Sequence, residues 1–228
     1  AMIRRRELKP SELVDATLRR IERVNPKVNA IVAMRADQAM DEARALDEKI
    51  ARREEVGPLA GLPFGVKDLE DAAGLPTTFG SKPFKDHMPP GDSVQVARLR
   101  AAGAIVVGKT NAPEFGYTGF TKNLIFGVTR NPWNLERTPG GSSGGSSAAI
   151  AGGLLPLATG SDGGGSVRSP ACSVGCFGLK PSNGRIPSEP TLGMLGWNDT
   201  AVLGPLTRSV RDAAIYMDAV VGYHPADP

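Results

Sequence analysis

The chain has 228 residues, with 27 Lys and Arg against 24 Asp and Glu and a formal net charge of +3. Aromatic residues make up only 5%, which argues against a base-stacking nucleic-acid surface, and the basic runs Arg4–Arg6 and Arg52–Arg53 are too short to mark a nucleic-acid or membrane partner. No apolar run approaches the length of a bilayer span, so a cytoplasmic globular protein is expected.

Ser11 can cap a helix whose apolar residues Val14, Leu18, Ile21 and Val24 share one face, and Pro26 is expected to end it. Asn29–Met34 reads as a short strand or extended connection. A second helix follows, with Ala39, Met40, Ala43, Leu46 and Ile50 inward. Gly57-Pro58 and Gly61-Leu-Pro63 break the chain, and Phe64–Leu69 reads as a buried strand. Ser93–Ala102 is a further helix, stopped by Gly103, and Ala104–Val107 a further strand. Ala148–Ala151 fits a helix after a Gly/Ser cluster, and Leu154–Ala158 a strand leading into a second cluster. Ser209-Val-Arg-Asp212 resembles a capping box for a last helix, with Val210, Ala213, Ala214, Met217, Val220 and Val221 as its apolar face and Gly222 as its end. Helices alternating with short apolar strands give an α/β fold.

Residues 140–170 carry both Gly/Ser clusters, GGSSGGSS and GSDGGGS, around one apolar stretch. A serine between glycines can occupy a turn closed to other residues, and successive N–H groups there form a nest for an anion. Acyl-bond hydrolysis needs that pairing of exposed hydroxyl and oxyanion donors. The hydroxyl also needs a base. His87, in a polar Pro-rich loop, and His224, near the end of the sequence, read as surface residues, and no G-x-S-x-G elbow has a strand before it and a helix after it. Lysine is the remaining candidate, provided burial lowers its pKa. Lys67 lies in the strand-like GLPFGVKD, where alternation sends it opposite Val66 and Asp68. An edge strand with Lys67 in water is the competing placement.

The blocks GLPFGVKD, TPGGSSGGSSAAIA, GSDGGGSVRSPA and GLKPSNGRIP, in that order between about Glu12 and Gly222, resemble the amidase signature family. The resemblance implies a mixed central β-sheet flanked by α-helices and an amide hydrolase with a Ser-cisSer-Lys triad. The nucleophile then falls on Ser166. The proton bridge falls on Ser142, behind a cis peptide bond, and the base on Lys67. Backbone N–H groups of Gly163, Gly164, Gly165 and Ser166 are implied as the oxyanion hole. Ser143 is implied as a hydrogen-bonding member of the site, and Asp162 and Arg168 as residues that fix its loop. The implied product-forming path is an acyl-enzyme on Ser166 that releases an acid and an amine or ammonia.

The resemblance also implies a small-molecule amide substrate, no cofactor and no metal, with a homodimer among the open assembly states. Family members run to roughly twice this length. A single, incomplete N-terminal portion is therefore expected, with a helical part at about 10–55, a catalytic core at about 58–222, and a C-terminal remainder elsewhere in the same protein. Phe115, Tyr117, Phe120, Met194, Leu195 and Trp197 are candidates for a hydrophobic acyl pocket or equally for core. Cys172 and Cys176 are expected as two buried free thiols.

Two other readings compete. The A subunit of a glutamyl-tRNA amidotransferase shares the triad but tends to carry Gln where this chain has Ser169. Gly103–Thr110 satisfies the P-loop expression G-x-x-x-x-G-K-[ST], yet Ala-Ile-Val-Val fills the positions that must wrap phosphate and Pro113 blocks a following helix.

Overall fold

The computed structural model describes residues 2–188, 200–225 and 227. In chain order the elements are α1 (Met2–Arg5), α2 (Pro10–Val28), β1 (Ile31–Met34), α3 (Ala36–Ala51), β2 (Pro63–Lys67), α4 (Val94–Ala101), β3 (Ile105–Thr110), the short strands β4 (Lys122–Asn123) and β5 (Gly127–Val128), α5 (Gly144–Ala151), β6 (Leu157–Asp162), α6 (Arg168–Val174), β7 (Phe177–Gly178), β8 (Val202–Thr207) and α7 (Val210–Val220). Six strands form one mixed sheet in the order β1-β3-β2-β6-β8-β7, and β4 pairs β5 in a separate ribbon. The centre is parallel, β3 with β2 and β2 with β6, and the outer pairs are antiparallel. This is the mixed α/β sheet expected.

Strand alternation divides the core between the two faces of that sheet. Ile105 and Val107 of β3, Ala158 of β6 and Leu206 of β8 pack with α2, α3, α5 and α6. Their neighbours Val106, Leu157 and Leu203 pack with Phe64 and Val66 of β2 and with α4 and α7. Central strands buried on both faces need no polar side, and β2 and β3 are buried throughout. From β2 the chain passes through α4 on one face to β3, then through α5 on the other face to β6. The connection reverses direction beside β2. In α/β sheets such a switch point opens a crevice beyond the carboxyl ends of the strands.

Several local expectations differ from the structure. Helix α2 starts at Pro10, an N1 proline, and its first turn is closed by Glu12, whose carboxylate accepts from Lys9 N–H at 2.9 Å. Ser11 instead reaches across to Asp47 of α3. The helix runs through Pro26 and stops at Asn29, which is left-handed and donates to the Asn25 carbonyl. Pro26 lies in the last turn, so little helix remains beyond it to be disturbed.

Strand β6 begins at Leu157 rather than Leu154, because Leu154 and Leu155 plug the core from a loop and Pro156 follows. Ser209 caps α7 as expected, accepting from Asp212 N–H at 3.2 Å. On that helix Tyr216 joins the core, whereas Val210 is exposed. Cys172 is exposed, contrary to a buried thiol, because α6 turns it away from the sheet side where Ala171 and Val174 are buried.

Candidate active site

Three neighbouring parallel strands end in polar residues, and those ends make the site. Strand β2 ends at Lys67, β3 at Lys109-Thr110 and β6 at Ser161-Asp162. Lys67 pairs in register with Thr110, and its backbone N–H donates to Thr159 Oγ1 at 3.0 Å. Central placement, not the sheet edge, decides its burial. Lys67 is 1% exposed.

The amine of Lys67 lies 2.7 Å from Ser142 Oγ and 2.9 Å from Ser161 Oγ, with the Ser161 carbonyl at 3.4 Å. Its pKa is lowered to about 7 by burial, against the charges of Glu70 and Asp162. Helix α5 begins at Gly144, two residues after Ser142, so its positive end adds to what disfavours an ammonium there. A lysine that is neutral near pH 7 beside a hydroxyl can accept a proton.

Ser142 reaches Lys67 because of the turn before α5. The Gly141–Ser142 peptide bond is cis. A Cβ on Gly116 would stand 3.2 Å from Ser142 Oγ and 2.8 Å from Leu69, so the 114–117 turn lies directly against the serine. Gly145 is required for a second close approach, since a Cβ there would meet the Asn111 backbone N at 2.3 Å. Ser143 links the two Gly/Ser clusters. Its N–H donates to the Ser166 carbonyl at 3.1 Å, and its Oγ accepts from Ser161 N–H at 3.4 Å.

The loop after β6 is closed by one carboxylate. Asp162 accepts from Gly165 N–H at 2.7 Å, Val167 N–H at 3.1 Å, Arg168 N–H at 3.2 Å, and Arg168 Nε and Nη2 at 3.0 and 2.9 Å. Burial alone pushes this carboxyl up. The Arg168 guanidinium and the three N–H groups overcome that and hold it well below the usual carboxylate range. Ser166 stands inside the loop, half-buried, while Gly163 and Gly164 are exposed. Gly165, at φ 111°, uses its N–H on Asp162.

Hydrogen bonds tie these segments together: Lys67 to Ser142, Ser143 to Ser161 and to the Ser166 carbonyl, and Asp162 to Arg168. Sequence reasoning missed Ser161, the second hydroxyl on the lysine, and Glu70, a buried carboxyl near it. Alternation along β6 is the only signal for Ser161, and nothing local marks Glu70. The P-loop reading of 103–110 is overturned: these residues are strand β3 with the turn before it, and Lys109 is fully buried in the sheet. Tyr117 and Phe120 are exposed, Tyr117 by 90%, so core packing does not explain them, whereas the part-exposed Phe115 stacks on the buried Phe79 and meets Phe84 edge-on. Met194, Leu195 and Trp197 lie outside the described residues. Among the described residues no His, Cys, Asp and Glu cluster could hold a metal ion, and no helix is long and apolar enough to cross a membrane.

The sequence matches the family model Amidase over residues 12–228. The chain belongs to the amidase family. An acylamidase of Rhodococcus erythropolis is 47% identical across 100% of this chain and 47% of its own length. The A subunit of the glutamyl-tRNA(Gln) amidotransferase of Carboxydothermus hydrogenoformans is 44% identical across 99% of this chain and 46% of its own. Among solved structures, a bacterial aryl acylamidase of the amidase signature enzymes superposes with a TM-score of 0.94 at 38% identity, over 100% of this chain and 47% of that one. The chain therefore spans about half the length of the relatives it matches.

Proposed function

We propose that the protein containing this chain hydrolyses amides through an acyl-enzyme on Ser166, with Ser142 as proton bridge and Lys67 as base. The observation that carries the proposal is the 2.7 Å contact between the buried Lys67 amine and Ser142 Oγ. In the first step Ser166 Oγ attacks the amide carbon, its proton passes to Ser142, and the Ser142 proton passes to the Lys67 amine. The carbonyl oxygen becomes an oxyanion, met by N–H groups of Gly163, Gly164 and Ser166. Each such donor contributes about 3–4 kcal/mol where one has been removed from an enzyme. Gly165 serves differently, since its N–H is held by Asp162.

Collapse of the tetrahedral species breaks the C–N bond, and the proton on Lys67 returns by way of Ser142 to the leaving nitrogen. Water then attacks the acyl-enzyme by the same relay and releases the acid. Ser143, Asp162 and Arg168 position the loop. The exposed Tyr117 and Phe120, on the stretch that packs against Gly141 and Ser142, favour a substrate with an apolar acyl or aryl part. An ammonia-transferring enzyme would use the same first half-reaction with another acceptor, and Ser169 remains the residue that speaks against it.

Labelling of the full-length protein with a fluorophosphonate, followed by peptide mass mapping, tests the assignment. The expected result is a single adduct on Ser166 that disappears in Ser166→Ala together with turnover. An adduct elsewhere, or undiminished turnover in Ser166→Ala, overturns it.

A further inference from the structure

Beside the Lys67 side chain lies a cavity of about 30 Å³ lined by Lys67, Glu70, Ser93, Gly160, Ser161 and Leu203 among others. That volume holds at least one water, for which roughly 10–15 Å³ suffices. Glu70 is 6% exposed. Its Oε1 accepts from Ser93 Oγ at 2.7 Å and Gln95 Nε2 at 2.9 Å. Its Oε2 is buried and makes no hydrogen bond of normal geometry, although the Thr159 hydroxyl faces the carboxyl. Most of the cavity wall is apolar, but a buried carboxylate oxygen left unpaired is costly enough to hold a water where the polar groups meet. The lysine amine, the Ser161 hydroxyl and the open carboxylate oxygen supply the two to four polar partners that such a water needs.

Resting on the assignment of Lys67 as base, we propose that Glu70 is a positioning residue for it: Oε2 and the lysine amine share a buried water, and the carboxylate charge fixes the pH at which that amine becomes neutral. Other charges and titratable groups face this pair. Asp162 reaches Lys67 from β6. Lys109 on β3, with Asp68 at the end of β2, faces Glu70, and the Tyr216 hydroxyl approaches it from α7. Burial pushes the Glu70 carboxyl up, against the hydroxyls of Thr159 and Ser93, the Gln95 amide and the Lys109 charge. Those donors and that cation offset only part of the rise, and it is the ionised form of Glu70 whose charge favours an ammonium on Lys67 and opposes the burial that lowers it.

The experiment is the pH profile of kcat/KM for the full-length protein and its Glu70→Gln, Glu70→Asp and Lys67→Ala variants. Glu70→Gln keeps the size and removes the charge. Its acid limb is expected to move to lower pH by about one unit, the low end of what an opposite charge does at short range. Glu70→Asp is expected to move it less. An unmoved limb in Glu70→Gln, with Lys67→Ala inactive, overturns the role of Glu70 alone, whereas full turnover in Lys67→Ala overturns the base and Glu70 with it. A high-resolution crystal structure of the wild-type protein gives a second test that needs no variant to fold. A water within hydrogen-bond distance of both Nζ and Oε2 is expected, and a dry cavity or direct contact between the two overturns the bridge.

Discussion

Two lysines, Lys67 and Lys109, end adjacent parallel strands one register step apart, and both are shut off from solvent. Burial lowers the proton affinity of each. Their partners differ. Lys109 has Asp68 Oδ1 at 3.8 Å, Thr77 Oγ1 at 3.0 Å and the Glu70 carbonyl. Burial pushes Asp68 up as it pushes Lys109 down, each opposing the other, so their proton stays within a net-neutral pair. Lys67 has two hydroxyls as its nearest partners, and a hydroxyl can pass a proton onward. Burial by itself does not make a lysine a base. The chemistry of what touches the nitrogen decides between a cross-link and a catalyst.

The strongest way to break this contrast is to remove each amine in turn. Lys67→Met is expected to lower turnover by about 10⁴-fold, the upper range for loss of a general base, while leaving a folded protein by circular dichroism. Lys109→Met is expected to act on stability instead. It strands Asp68 without its cation, at a cost of about 3–5 kcal/mol by denaturant unfolding. The pair Lys109→Met with Asp68→Asn should recover part of that loss, since no buried charge is left behind. Comparable turnover loss per folded molecule in Lys109→Met would erase the distinction.

A smaller effect sharpens the contrast through pH. The folded-state pKa of Lys67 is about 7, below its ordinary value of 10.5. Between those values the unfolded chain binds the extra proton, so stability rises with pH and the cost of burying the ammonium is complete below about 7. Lys67→Met should therefore gain stability over wild type at pH 6 by more than at pH 9, measured as the difference in thermal midpoints. A gap that is the same at both pH values would mean that Lys67 does not titrate in this range. Turnover should rise with the same sign, through about pH 7, as the amine loses its proton.

Much of this is legible in the order of residues alone. The helices from Pro10, Ala36, Val94 and Val210 and the strand carrying Lys67 follow from periodicity, caps and breakers. The four motif blocks name Lys67, Ser142, Ser143, Asp162, Ser166 and Arg168, and hydrogen bonds link Lys67 to Ser142, Ser143 to the Ser166 carbonyl and Asp162 to Arg168. The start of β6 is harder to place, because an apolar stretch signals burial but not strand. Leu154 and Leu155 are buried from a loop, while Thr159, Gly160, Ser161 and Asp162 form the strand because β2 and β8 flank it. Ser161 carries only the alternation of β6, and Glu70 carries no local pattern at all. Both matter through neighbours brought from other strands, which a single sequence does not display.

The reversal of chain direction beside β2 has one more consequence. In the proposed mechanism the base and the clamped loop hang from the ends of central strands and the bridging serine from the turn before α5, whereas Tyr117 and Phe120 are exposed on a stretch after β3. Changes to the exposed Tyr117 and Phe120 side chains can therefore alter which substrates the proposed mechanism admits, whereas Gly116, packed against Ser142, cannot gain a side chain without pressing on the relay.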